Sequence, residues 1–287
     1  MKKIIFSLLT LLLCSSFTLS AQTDKTYDVQ LWTNGFPNSN GHEEDVLKEG
    51  DKKVAKPFMR VFLPKAKKAT GRVVLALPGG GYSHLAWNHE GYDWAPFFNE
   101  RGIALVVLNY RMPYGHTEIP ASDVYEAIRY IRANAASMNV DPQNLGIMGS
   151  SAGGHLASTV ATHAVAEVRP NFQILFYPVI TMDLSFTHKG SHDNLLGKNP
   201  TKGLEDKYSN EKQVDSMTPP AILLCSHDDK AVPATNSVEY YLALLRNGVP
   251  ASLHIYPSGG HGWGSREKFK FHEAMKKDLS DWLEQLK

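Results

Sequence analysis

The sequence predicts an α/β fold: a mostly parallel sheet with helices on both faces. Three observations carry that prediction. Short runs such as IALVVLN (103–109) are apolar at every position, so both faces of the strand must be buried, as in parallel sheets. Segments of helical periodicity alternate with these runs, which is the signature of repeated strand–helix–strand crossovers. No linker, low-complexity tract or internal repeat interrupts the series, so one domain is expected over residues 22–287.

Taken in order, residues 54–63 and 72–77 read as strands, and 92–101 as a helix leading into the strand 103–109. Residues 122–137 (SDVYEAIRYIRANAAS) place Val124, Ala127, Ile128, Ile131 and Ala135 at helical spacing, with Ser122 or Asp123 as the cap. Residues 145–148 form a short strand, followed by a helix from Ala152 to about His163. Three more strands are expected at 172–177, 221–225 and 252–256, with helices at 237–246 and 268–286. Residues 179–218 break the rhythm. They are polar and glycine-containing, and an insertion of that size in a compact domain is expected to be a lid or cap before the penultimate strand. His188 and His192 within it stand four apart, the spacing of a helical metal pair, although Gly190 between them weakens the helix. Solvated lid residues are the preferred reading, and no metal is expected.

Of the 287 residues, 43% are hydrophobic and 21% charged, which excludes collagen-like, coiled-coil and disordered classes. Thirty basic residues against 29 acidic leave no strong field for nucleic acid or an anionic membrane. Residues 1–21 read as a signal peptide: a basic start at Lys2 and Lys3, an apolar run through Leu13, then small residues ending at Ala21. A lipoprotein anchored through Cys14 is the less favoured alternative, because Leu13 is bulky where small residues precede such a cysteine. The expected location is therefore secreted or periplasmic, without membrane insertion. Cleavage would leave Cys225 as the sole thiol, so the core must hold the fold without an internal disulfide.

The chemistry begins at Gly149-Ser150-Ser151-Ala152-Gly153, a G-x-S-x-G run between a strand and a helix. A turn this sharp strains its central residue, and glycines on either side remove the side chains that would collide. Ser151 is then a candidate nucleophile, with the Ala152 amide free in the first helical turn to donate to an oxyanion. A serine hydroxyl needs a base. His261, in Ser258-Gly259-Gly260-His261-Gly262-Trp263-Gly264 after the last strand, has the required position, with His227 a distant second. His155 is expected to pack beneath the turn, and His254 to be structural. Asp229, in HDDKAVP after the preceding strand, is the candidate acid, with Asp228 the close alternative. Gly80 and Gly81, in the Pro78-Gly79-Gly80-Gly81-Tyr82 loop after another strand, are candidate oxyanion donors. A phosphate-cradling reading of that loop fails, because no Gly-Lys-Ser/Thr follows.

On these runs, together with VVLNYRMP and DPQNLGIMGSSAGGHLA, the chain resembles α/β-hydrolases of the hormone-sensitive-lipase and carboxylesterase type. Within them it is most similar to exported bacterial bifunctional feruloyl and acetyl xylan esterases. The resemblance implies the α/β-hydrolase fold, a Ser151–Asp229–His261 triad, and an oxyanion hole of Gly80, Gly81 and Ala152. It departs from the lipases in carrying Pro78 where their glycine loop begins with histidine. The expected function is a secreted serine esterase that removes acetyl or feruloyl groups from plant polysaccharide such as xylan, with an acylated carbohydrate as partner and no cofactor. Tyr82, Trp87 and Trp263 are candidate substrate contacts, and His89 and Glu90, just after the glycine loop with Trp87, are further candidates for acyl or sugar contact, with packing of an irregular loop as the alternative. The alternatives are another serine hydrolase (small-ester carboxylesterase, amidase or peptidase) and a non-catalytic glycan-binding protein on the same fold.

Overall fold

Apolar runs long enough to be buried on both faces require neighbours on both sides, and the chain supplies them with one eight-stranded sheet. The computed structural model describes residues 25–45 and 51–286. The expected signal peptide, Cys14 included, lies outside the described residues.

The elements run β1 (Lys25–Gln30), β2 (Phe58–Leu63), β3 (Val73–Leu77), α1 (Ala95–Glu100), β4 (Ala104–Asn109), α2 (Glu118–Ala133), α3 (Ala135–Met138) and β5 (Leu145–Ser150). They continue with α4 (Ala152–His163), β6 (Phe172–Phe176), α5 (Lys189–Leu196), α6 (Lys202–Tyr208), β7 (Ala221–Ser226), α7 (Thr235–Arg246), β8 (Ala251–Tyr256) and α8 (His272–Gln285). The sheet order is β1-β2-β4-β3-β5-β6-β7-β8. Only the β1–β2 and β2–β4 pairings are antiparallel; the other five are parallel. The mostly parallel sheet with helices on both faces is the expected architecture.

The two faces hold separate cores. On one, Val124 and Ile128 of α2, Leu156 and Val160 of α4 and Tyr240 and Leu244 of α7 pack against the sheet. On the other, Phe97 and Phe98 of α1 and Met275, Leu279 and Leu283 of α8 do so. Strands β3, β4, β5, β6 and β7 are buried at every residue, which is why their sequences carry no alternation.

Several boundaries differ from the periodicity reading, each for a physical reason. β1 adds a strand that periodicity does not mark: it is an edge strand that turns only Tyr27 and Val29 inward, so its sequence, KTYDVQ, has no apolar run. β2 starts at Phe58 rather than residue 54, because Pro57 has no N–H for the ladder. α2 starts four residues before the expected cap, with Pro120 accommodated in its first turn, and a break at Asn134 separates off α3. Residues 92–94 form a 3₁₀ turn ahead of α1. α8 begins at His272 because Phe269 turns inward and stacks on Trp263 at 4.2 Å.

The segment before β2 is tied to the body by a buried cation. Arg111, fully buried beyond β4, donates to Asp123 of α2 at 2.7 Å and to Glu43 at 3.1 Å, and also to the Asn38 carbonyl. Trp32 donates its indole N–H to the same Asp123 at 2.7 Å. Removing one partner of a buried ion pair leaves the other charge uncompensated. Arg111→Ala is therefore expected to lower unfolding free energy by about 3–5 kcal/mol in urea denaturation. A loss below about 1 kcal/mol, the scale of exposed pairs, would show that the network contributes little.

Candidate active site

The parallel strands deliver their carboxyl ends to one edge, and the loops leaving β3, β5, β6, β7 and β8 meet there. That convergence is the usual place for a site in such sheets. At the centre, β5 passes into α4 within a single residue. Ser151 has φ 53° and ψ −121°, a backbone state that a non-glycine residue occupies only under constraint. The constraint is visible on both sides. A Cβ on Gly149 would lie 2.2 Å from the Gly153 carbonyl oxygen, and one on Gly153 would lie 2.0 Å from that of Leu77. The Ser151 N–H donates to Phe176 O of β6, and the Val179 N–H donates to Ser151 O, both at 3.0 Å.

His261 Nε2 lies 2.8 Å from Ser151 Oγ, and its Nδ1 lies 2.6 Å from Asp229 Oδ2. A carboxylate only accepts, so Nδ1 carries the ring proton and Nε2 presents its lone pair to the hydroxyl. The Asp229 side chain is fully buried, and its other oxygen accepts from the Ala231 and Val232 amides at 2.9 Å each. Asp228, the alternative acid, points outward. Its Oδ1 accepts the Gly260 N–H at 2.8 Å, and that bond holds its carboxyl below the usual range while steadying the histidine loop. His227 is exposed on the turn before it.

The glycine loop after β3 faces Ser151 across the cleft. Gly80 adopts φ 133°, and a Cβ there would lie 2.1 Å from the His84 carbonyl oxygen; Gly81 adopts φ 63°. Both line a cleft of about 660 Å³ together with Ser151, His261, His188, Trp87 and Arg266. The Ala152 amide opens α4 at the same edge, where first-turn amides have no partner within the helix.

The structure turns two of the three candidate aromatic contacts away from the cleft. Tyr82 is 2% exposed and bonds its hydroxyl to His155 Nδ1 at 2.8 Å, behind the nucleophile turn. Trp263 is 4% exposed, stacks on Phe269 and donates to Ser226 Oγ at 3.0 Å. Neither lines the cleft; of the three aromatics only Trp87 does. Glu90, set beside them in the sequence, is a buried strut. Its Oε2 accepts the Gly79 N–H at 2.8 Å and its Oε1 the Tyr177 hydroxyl at 2.9 Å, while Tyr177 in turn accepts the Gly264 N–H at 2.8 Å. Burial raises the Glu90 carboxyl above its ordinary value. Tyr177 also lays its ring 4.7 Å from that of His261. One carboxylate thus joins the glycine loop to the histidine loop. Tyr177 belongs to no motif, and its φ of 34° offers no signal in a sequence.

Five further histidines lie around the site or stand out in the sequence. His155 is buried between Tyr82 and the Tyr208 carbonyl, and burial pushes its imidazole down to about 4. His89 lines the cleft, where burial and then the charges of Arg266, Lys52 and Lys268 push it down to about 4. His254 pairs with Asp278 at 3.3 Å. His192 spends both ring nitrogens on Asp193 and Glu205, at 2.8 and 3.1 Å, while His188 faces the cleft. Among the described residues no three His, Cys, Asp or Glu side chains are grouped to hold a metal ion.

Comparison with known proteins places this geometry in context. The model of the BD-FAE family matches residues 59–244. An acetylxylan esterase of Xylanibacter ruminicola is 42% identical over 282 residues, covering 97% of this chain and 54% of that protein. Endo-1,4-beta-xylanase B of Butyrivibrio fibrisolvens is 37% identical over 204 residues, 66% of this chain and 32% of that protein. The chain thus spans about half the length of the first and a third of the second. The crystal structure of an acetyl ester-xyloside bifunctional hydrolase from Caldicellulosiruptor lactoaceticus superposes with a TM-score of 0.75 at 35% identity, covering 87% of this chain and 93% of that one.

The two adjacent acids make different predictions. Asp229→Asn removes the acceptor that fixes the imidazole tautomer, so phosphonylation of Ser151 by a fluorophosphonate should slow about 10³–10⁴-fold. Asp228→Asn keeps an acceptor oxygen for Gly260 and should slow it less than about tenfold, the loss of roughly one hydrogen bond. Equal losses in the two variants would overturn the assignment.

Proposed function

The chain belongs to the BD-FAE family of α/β-hydrolases, and from that premise we propose that it is a serine esterase that removes O-acyl groups from xylan through an acyl-enzyme. The observation that carries this reading is the unbroken line from the Ser151 hydroxyl through His261 to the buried Asp229 carboxylate, at 2.8 and 2.6 Å.

His261 Nε2 takes the proton as Ser151 Oγ attacks the ester carbonyl carbon. The negative charge that develops on the carbonyl oxygen is met by the amides of Gly80, Gly81 and Ala152, each worth about 3 kcal/mol in the transition state. The tetrahedral intermediate then breaks its bond to the sugar oxygen, which leaves with the proton from His261. Water, deprotonated by the same nitrogen, attacks the acyl-enzyme and restores Ser151. Asp229 stays ionised throughout and stabilises the imidazolium. The sequence of steps requires no cofactor and no metal.

Acetyl is the acyl group favoured by the relatives, since the names acetylxylan esterase and acetyl ester-xyloside bifunctional hydrolase specify it. Feruloyl esters belong to the same proposal on the resemblance of the motifs. Residues 179–218, which carry α5 and α6 between β6 and β7, act as the lid over a single catalytic domain. Residues 1–21 act as the export signal, which suits a polymer that cannot enter the cell. Among the described residues no helix is long and apolar enough to cross a membrane.

Acetate release from acetylated xylan tests the activity. Ser151→Ala should reduce kcat by a factor of about 10⁶, since the nucleophile acts as a unit with its base. Turnover near that of wild type would remove Ser151 from the mechanism. For export, the protein isolated outside the cytoplasm should begin at Gln22 by N-terminal mass spectrometry. An intact Met1 terminus on that material would refute the leader.

A further inference from the structure

His188 takes no part in the steps above, yet it stands in the cleft wall beside Ser151, His261 and Gly81. It is the N-cap of α5, and its Nδ1 accepts the Ser191 N–H at 3.1 Å, with Ser191 Oγ 2.8 Å away. A ring nitrogen that accepts a backbone N–H cannot carry a proton, so the ring proton resides on Nε2. Nε2 has no protein acceptor among the described residues. Burial, and then the neighbouring His261, hold the imidazole below its ordinary value, in the same direction as the neutral tautomer that the Ser191 bond requires. The ring is also fixed in place. Asn194, on the same helix, donates to the Gly81 carbonyl at 2.8 Å, and a Cβ on Gly81 would stand 3.5 Å from His188 Cε1. The cleft is thus offered a single oriented N–H.

We infer that His188 donates this hydrogen bond to the sugar portion of the bound ester, which makes it a specificity-determining residue supplied by the insertion. The inference rests on the esterase reading. The polar atoms of the ester decide between sugar and acyl group. His261 must reach the leaving oxygen to protonate it, so the departing alcohol lies beside the imidazole. The carbonyl oxygen points to the Gly80, Gly81 and Ala152 amides instead. An acetyl group carries no other polar atom, so an N–H in the same cleft wall as Ser151 and His261 is left to meet the sugar. A neutral N–H complements a sugar hydroxyl or ring oxygen, whereas a nitrophenyl ring offers only the weakly accepting oxygens of its nitro group.

Two variants separate the donor from the cap. Asn at position 188 keeps an oxygen for the Ser191 amide, because Asn is among the best N-caps, but it does not extend to Nε2. Gln at 188 extends its amide nitrogen to about that reach. With an acetylated xylo-oligosaccharide, His188→Asn should lose about tenfold in kcat/KM, the scale of one hydrogen bond left unmade. Its kcat/KM on p-nitrophenyl acetate should fall by a clearly smaller factor and its melting temperature should change little, while His188→Gln should recover most of the oligosaccharide activity. Oligosaccharide turnover unchanged in His188→Asn, or equal losses on both substrates, would overturn the inference. A wild type that cleaves p-nitrophenyl acetate but no acetylated oligosaccharide would instead refute the proposed substrate, a separate result.

Discussion

The strained backbone at Ser151 is the constraint on which the site depends. A non-glycine residue at φ 53° and ψ −121° costs about 1–3 kcal/mol, and only surroundings that over-determine the position retain it. Here β5 arrives fully buried, α4 departs at once, and the neighbouring backbones of Leu77, Phe176 and Val179 leave the turn no room to relax. The reward is positional. The hydroxyl stands clear of both the strand and the helix at the carboxyl edge of the sheet, with the first amide of α4 beside it.

Every other component is brought to that fixed point by a loop, and loops are the mobile part of such a scaffold. The structure compensates with hydrogen bonds that run between loops instead of within them. Glu90 ties Gly79 of the glycine loop to Tyr177, and Tyr177 ties to Gly264 beyond the histidine. Asp228 holds Gly260 on the other side of His261. Asn194 joins the insertion to Gly81. The cost of burying the Glu90 carboxylate is offset by two donors, one on each oxygen, which is the condition under which buried charge is tolerated. The amide donors and the imidazole therefore share a common frame, and preorganisation of this kind is what makes such donors effective.

The parts legible in the sequence are those where geometry restricts residue choice. The G-x-S-x-G turn and the three-glycine loop could be read because backbone approaches near 2 Å exclude any Cβ at Gly80, Gly149 and Gly153, and the glycines flanking His261 because Gly260 and Gly262 adopt φ of 60° and 75°. The buried strands could be read because burial on both faces leaves only apolar residues. β1 could not, since an edge strand needs only Tyr27 and Val29 turned inward. Nor could the direction of Tyr82 and Trp263: an aromatic next to a reactive loop satisfies the sequence equally well facing the core or the cleft. The adjacent acids Asp228 and Asp229 differ only in which way the turn after β7 presents them. Glu90 and Tyr177 lie 87 residues apart, a pairing that only the folded chain reveals.

In the proposed mechanism the Ser151 oxygen becomes acylated because His261 can accept its proton. Rapid acid quenching during turnover of an acetyl ester, followed by peptide mass spectrometry, observes that bond directly. The account predicts an added acetyl group on the peptide containing Ser151, absent when His261 is replaced by alanine. An acetyl group carried by a different residue, or one that accumulates on Ser151 at an undiminished rate without His261, would contradict it.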